Sequence, residues 1–143
     1  MSLDQTYSDD NIFARIIRGE LPCAKIYEDD KTLAFMDAFP QTRGHSLVIC
    51  KDSRAVNLLD MPTDALGRLL SVTQKVARAT VAALAPDGFK IVQFNGDQAG
   101  QTVYHLHFHI IPVYTATPEG GHTKGQAEMA DLQNLAEKIR AEL

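Results

Sequence analysis

The sequence predicts an α+β fold: a five-stranded antiparallel sheet with one long helix, a short N-terminal helix and a C-terminal helix. Three observations carry this. Residues 63–85 repeat apolar side chains at steps of three and four over a length that can cover a sheet face. Five short β-like stretches flank that run, bounded by turn residues. One of the five, Tyr104 to Val113, alternates histidine with apolar residues at a period of two, which a strand turns into two distinct faces.

At the N-terminus, Asp9, Asp10 and Asn11 offer a cap ahead of Ile12, Phe13, Ile16 and Ile17, and Gly19 supplies a stop, so Ile12 to Arg18 reads as a short amphipathic helix. Pro22 enforces the break. Ala24 to Tyr27, Thr32 to Asp37 and His45 to Lys51 follow as strands, separated by Glu28-Asp29-Asp30 and by Pro40 to Gly44, and suggest an antiparallel meander. The long helix, Thr63 to Ala85, presents Leu66, Leu69, Leu70, Thr73, Val76, Ala77, Thr80, Val81 and Leu84, and ends at Pro86 and Gly88. Phe89 to Asn95 and Tyr104 to Val113 are the last two strands, joined by the loop Gly96 to Thr102. Thr115 to Gly125 reads as a surface loop, and Met129, Leu132, Leu135, Ala136, Ile139 and Leu143 put an apolar stripe on the C-terminal helix.

With 143 residues, 45% hydrophobic and 22% charged, the chain has the size of one domain, with a core over about residues 10–113 and a C-terminal loop and helix over 114–143. A net charge of -4 argues against a general nucleic-acid coat, which needs clustered Lys and Arg, but leaves room for a local anion site. Met1 to Asp10 lacks the basic-then-apolar order of a signal peptide, and no apolar run approaches the ~18 residues of a membrane span. Two unpaired cysteines, Cys23 and Cys50, fit a reducing compartment and read as small core hydrophobes, so the cytoplasm is the expected location.

Three of the five histidines fall in His105-Leu106-His107-Phe108-His109. Strand alternation sends their imidazoles to one face and Tyr104, Leu106, Phe108 and Ile110 to the other, one face for chemistry and one for the core. At ~3.3 Å per residue, His105 and His107 stand roughly 7 Å apart, a spacing that fits one ring at a reacting atom and its neighbours at the surrounding oxygens. Two other readings stand beside this. One is a solvated face that carries histidine by chance, which strict alternation of three disfavours. The other is a metal site, with His45 or His122 completing a His-x-His pair, although no carboxylate or thiolate stands nearby in sequence to support it.

Gly96 and Gly100 allow close backbone approach in the loop before this segment, and the N–H and hydroxyl groups of Gln101 and Thr102 can bind phosphate oxygens. Asp37 reads either as a carboxylate that accepts both hydroxyls of a ribose or as a turn residue before Pro40. No Walker-type loop or Mg²⁺-binding carboxylate cluster is present, so neither metal nor cofactor is expected.

His105-Leu106-His107-Phe108-His109-Ile110-Ile111 resembles the signature of the histidine triad (HIT) family of nucleotide-binding hydrolases and transferases. Further stretches are similar to its Hint branch in the same order: Asn11-Ile12-Phe13 through Glu20-Leu21-Pro22, Lys25-Ile26-Tyr27-Glu28-Asp29-Asp30, Ala34-Phe35-Met36-Asp37, Gly44-His45-Ser46-Leu47-Val48-Ile49, and Gly100-Gln101-Thr102-Val103. The resemblance implies a HIT-like fold and a purine nucleoside phosphoramidase-like hydrolase. It implies that His107 attacks the α-phosphate, expels an amine, acyl or phosphate leaving group and forms a nucleotidyl-histidine that water hydrolyses. It implies that the His105 carbonyl orients His107, that His109 bonds a phosphate oxygen, and that His45 sits by His105 as a relay. Asn95 would contact ribose or phosphate, Thr102 would sit near the bridging atom, and Phe13, Ile16, Leu21 and Phe35 would line a purine slot.

Dinucleoside polyphosphate hydrolysis and a slow-turnover nucleotide-binding regulator are the alternatives. The chain departs from the family where some bacterial members hold a structural zinc, reading Asn11, Ala14 and Ser53 there, and where many relatives have Arg after the triad strand's proline, reading Val113. The tail from Thr115 matches no family pattern. Hint-like relatives pair their long helix and the strand after it, which implies a homodimer through Thr63 to Ala85 and Phe89 to Asn95. The alternative is a monomer whose edge the C-terminal helix covers.

Overall fold

The structure, a computed structural model, describes residues 2–116 and 125–143. Most of the Thr115 to Gly125 stretch, His122 included, lies outside the described residues. Asn11 caps the first helix, α1 (Ile12–Ile17), by accepting the Ala14 N–H at 2.9 Å, and Gly19 leaves it at φ +80. Five strands follow: β1 (Lys25–Glu28), β2 (Thr32–Met36), β3 (Ser46–Cys50), β4 (Gly88–Val92) and β5 (His107–Val113). They form one antiparallel sheet in the order β1-β2-β3-β5-β4, with α2 (Thr63–Leu84) between β3 and β4 and α3 (Met129–Arg140) after β5.

Both central strands β2 and β3 are buried along their whole length, so both sheet faces are covered. Ala34, Met36, Val48, Cys50, Phe108 and Ile110 pack with Leu69 and Val76 of α2 and with Leu132, Ala136 and Ile139 of α3. Leu33, Phe35, Leu47 and Ile49 face the other way and pack with Phe13 of α1. Register puts Ile49 opposite His107 and Leu47 opposite His109, so these two histidines share the α1 side.

Gly44 fixes the entry to β3: at φ +91, a Cβ there would meet Leu84 Cδ1 at 2.5 Å. That turn delivers His45.

The triad strand is shorter than its alternation suggests, because β5 begins at His107 and leaves Tyr104 to Leu106 outside it. The Leu106 N–H turns away to the Ala55 carbonyl at 2.9 Å, and the Cys50 carbonyl accepts from the His105 ring at 2.9 Å. A side chain has replaced the next rung. β4 likewise stops at Val92, so Gln93 to Asn95 form no strand. The C-terminal helix seats on α2 and β1, and the Ala127 N–H donates to the Ala38 carbonyl at 2.8 Å. Among the described residues nothing covers the β4 edge, where Phe89 and Ile91 stay exposed.

Candidate active site

The α1 side of the sheet holds a cavity of about 540 Å³, within the usual range of small-molecule sites. His107 and His109 from β5, His45 from the turn before β3, and Asp37 after β2 supply its polar groups, together with Thr102 and Gln41. Ile12, Phe13, Ile16 and Phe35 form an apolar wall. The triad face is therefore not an open one: His107 is only 6% exposed, with Phe13 edge-on to it at 4.8 Å between ring centroids.

Hydrogen bonds to backbone groups fix the proton on each neutral ring, because a carbonyl only accepts and an amide N–H only donates. His107 Nδ1–H donates to the His105 carbonyl at 2.7 Å, which leaves Nε2 with its lone pair. His105 Nε2–H donates to the Cys50 carbonyl, so its Nδ1 accepts, from the Tyr7 hydroxyl at 2.7 Å. His45 Nδ1 accepts the Gln41 N–H at 2.9 Å, so its Nε2–H donates to His109 Nδ1, also at 2.9 Å. The proton of His109 then stands on Nε2. One imidazole is left with a lone pair and its neighbour with an N–H to donate.

Burial keeps the three rings of the triad neutral. It pushes His105 down to about 4 and His109 to about 3, the latter with help from the adjacent His107 and His45, and it lowers His107 against the opposing effect of its carbonyl bond. Asp37 moves the other way, up to about 6, because burial outweighs the bond its Oδ1 accepts from the Phe39 N–H at 2.8 Å. The turn reading of Asp37 is met by Oδ1, while Oδ2 lies 3.3 Å from His45 Nε2.

The structure brings His107, His109, His45, Asp37, Thr102, Phe13, Ile16 and Phe35 to the cavity. His45 is a correction, since it bonds His109 and not His105. Leu21, Asn95 and Gln101 do not line the cavity. Asn95 accepts the Leu58 N–H at 2.8 Å and exchanges bonds with Gln93. Gln101 is buried, its side chain bonded to the Gly96 N–H and the Val56 and Val103 carbonyls, and its own N–H to the Gly96 carbonyl. It staples the glycine loop in place of reaching a phosphate. Leu21 stays off the wall, although its neighbours Pro22 and Cys23 line it.

Residues that the sequence did not assign to the site complete the wall. Phe94 stands edge-on to His109 at 5.3 Å, and Met129 and Leu132 arrive from α3. Cys23 lines the cavity, whereas Cys50 is core as expected.

The HIT domain profile matches residues 18–116. The chain belongs to the HIT family. A Hit-like protein from Bartonella henselae superposes with a TM-score of 0.90 at 44% identity, covering 97% of this chain and 100% of that one. The adenosine 5'-monophosphoramidase hnt1 of Schizosaccharomyces pombe is 38% identical over 71% of this chain and 72% of its own. The adenylylsulfatase HINT3 of Arabidopsis thaliana is 40% identical over 75% of this chain, which spans about half (54%) of that protein.

Within this HIT fold, metal ligation does not fit the polar cluster. Asp37, His45 and His109 bring ligand atoms within 4.8 Å of one another, but a metal on His45 Nε2 would force the proton to Nδ1, against the Gln41 N–H. His105 has both nitrogens engaged. The positions of the family's structural zinc carry no ligand set either: Asn11 caps α1, Ala14 offers no donor atom, and the Ser53 hydroxyl accepts the Ala55 N–H at 3.0 Å. No helix among the described residues is long and apolar enough to cross a membrane.

Proposed function

We propose that this HIT protein hydrolyses purine ribonucleotide conjugates at the α-phosphate, as a nucleoside phosphoramidase-like enzyme. The observation that carries the reading is His107: its Nδ1–H is bound to the His105 carbonyl, so a lone pair stands on Nε2 at the cavity. Nε2 attacks the α-phosphorus; an N–P bond forms, and the leaving group departs with the bonding pair. Positive charge then grows on the ring, and the His105 carbonyl stabilises it through the Nδ1–H. His109 donates its Nε2–H to a phosphate oxygen, and the Thr102 hydroxyl reaches the leaving-group side. In the second step water attacks the phosphorus and loses a proton to solvent, the N–P bond breaks with its pair returning to Nε2, and AMP or GMP is released.

His45 supports the reading by holding His109 in its donor form. Phe13, Ile16 and Phe35 offer an apolar slot for the base, and Asp37 Oδ2 a ribose acceptor. The named activities of the yeast and plant relatives, on an adenosine phosphoramidate and an adenylyl sulfate, agree with α-phosphate chemistry.

Turnover of adenosine phosphoramidate, an aminoacyl-adenylate and a diadenosine polyphosphate by one preparation tests this. The phosphoramidate is expected to be fastest; a faster polyphosphate would make the protein a dinucleoside polyphosphate hydrolase, and an adduct that never turns over would make it a nucleotide-binding regulator. In the same assay, Asp37→Asn should weaken ribonucleotide binding by about 1–3 kcal/mol and deoxyribonucleotide binding less. The wild-type affinity should fall below about pH 6 as the Asp37 carboxylate takes up its proton, and that acid limb should vanish in the variant. Equal losses for both sugars would remove the ribose role.

The assembly proposed for this function is a homodimer through α2 and β4. Leu70 and Val81 on α2 are exposed beside Phe89 and Ile91 on the open β4 edge, and together they line one apolar groove. Light scattering at micromolar concentration should give a mass near twice 15.7 kDa; a mass near 15.7 kDa would sink the dimer.

A further inference from the structure

The His105 ring makes two bonds of different origin. Its Nε2–H is held by the Cys50 carbonyl of β3, inside the sheet, whereas its Nδ1 is met by the hydroxyl of Tyr7, from the segment that precedes α1. The backbone of Tyr104 to Leu106 lies outside the strands, with the Leu106 N–H tied to Ala55, so the ring is a principal anchor for the His105 carbonyl. That carbonyl holds His107.

The segment carrying Tyr7 is strapped down. The Arg54 guanidinium lies 4.7 Å from the centre of the Tyr7 ring and pairs with Asp9. Arg18 Nη1 donates to the Asp9 carbonyl at 2.7 Å, and Asn11 Nδ2 donates to the Ser8 carbonyl at 2.8 Å.

We propose that Tyr7 is a positioning residue whose hydroxyl, donating to Nδ1, completes with the Cys50 carbonyl the pair of bonds that seats the His105 ring as its Nε2–H tautomer and, through the His105 carbonyl, keeps the His107 lone pair on the nitrogen that faces the cavity. Its bearing on turnover rests on the function proposed above; its bearing on the ring does not.

His105 is 1% exposed, so without the hydroxyl its Nδ1 lone pair is buried with no donor. The ring then has two outlets. It moves the proton to Nδ1, which sets the Nε2 lone pair against the Cys50 carbonyl lone pairs, or it rotates to find water. Either outlet shifts the carbonyl, and the Nδ1–H of His107 loses its acceptor.

The test is Tyr7→Phe in the full chain, which keeps the ring against Arg54 and removes only the oxygen. Histidine ring nitrogens are read by two-bond ¹H–¹⁵N correlation at pH 7.5, without nucleotide, and kcat and KM are measured on adenosine phosphoramidate. In the wild type His105 is expected as a pure Nε2–H form and His107 as a pure Nδ1–H form; in Tyr7→Phe both signals should move toward tautomer averages, with kcat down about tenfold and KM unchanged. Wild-type ring signals in Tyr7→Phe would overturn the proposal, even if thermal stability drops. A wild type that turns over no nucleotide conjugate would instead overturn the enzymatic reading, and the ring signals would still decide for or against Tyr7.

Discussion

His107→Ala is expected to abolish nucleotidyl transfer, with turnover falling by at least about 10⁴-fold, the scale on which loss of a covalent nucleophile is felt. Among the described residues the geometry leaves no substitute. His109 presents an N–H to the cavity while its Nδ1 is occupied by His45, and both nitrogens of His105 are engaged. Neither ring has a lone pair to offer phosphorus. AMP should still bind, because the apolar wall and Asp37 are untouched. Rapid quench with labelled phosphoramidate, followed by a search for acid-labile protein-bound label, measures the adduct directly. A variant that still accumulates it would place the nucleophile elsewhere. His107 packs edge-on against Phe13, so the variant should fold with a modest loss of stability from the vacated space.

The second large effect concerns acid. A buried imidazole stays neutral in the fold but takes a proton when the chain unfolds, so between its folded value and the ordinary value near 6.5 stability falls as pH drops. His105 opens this window from about 4 and His109 from about 3, and His107 acts in the same direction. Asp37 opposes them: with its carboxyl at about 6 in the fold, the native state holds the extra proton between roughly pH 4 and 6 and gains stability there. Three groups against one leave a net loss, and each net proton contributes about 1.4 kcal/mol per pH unit. Denaturant midpoints are expected to fall steadily from pH 6.5 to 4.5, and more steeply in Asp37→Asn, which removes the opposing group. A midpoint flat across that range would mean that the histidines are not buried neutral.

The sequence made some elements legible because a single force dominated them. The α2 periodicity and the alternation of His107, Phe108, His109 and Ile110 answer to burial alone, and both survive in the structure. His105 leaves the strand that its alternation predicts because its ring competes with the backbone for the Cys50 carbonyl, a contest that spacing does not reveal. Gln101 beside two glycines fits a phosphate ligand or a loop staple equally well, and only its bonds to Val56, Gly96 and Val103 separate the two. Tyr7 sits in a polar stretch with no period to mark it. Met129 and Leu132 belong to a stripe whose pattern is the same whether it faces the core or a cavity. Pocket membership is a property of what lies opposite, which one helix cannot encode.

The cavity takes its walls from opposite ends of the chain: Ile12 and Phe13 stand near the start, Met129 and Leu132 near the finish, and the histidines on a strand between them. No contiguous stretch of polypeptide can build it, and it exists only once both ends have docked. The sheet ladder alone is not enough for it: the cavity depends on α1 and α3 both being seated. An occupant of the cavity would touch α1, the sheet and α3 at once, and by mass action it would hold these separately encoded elements together.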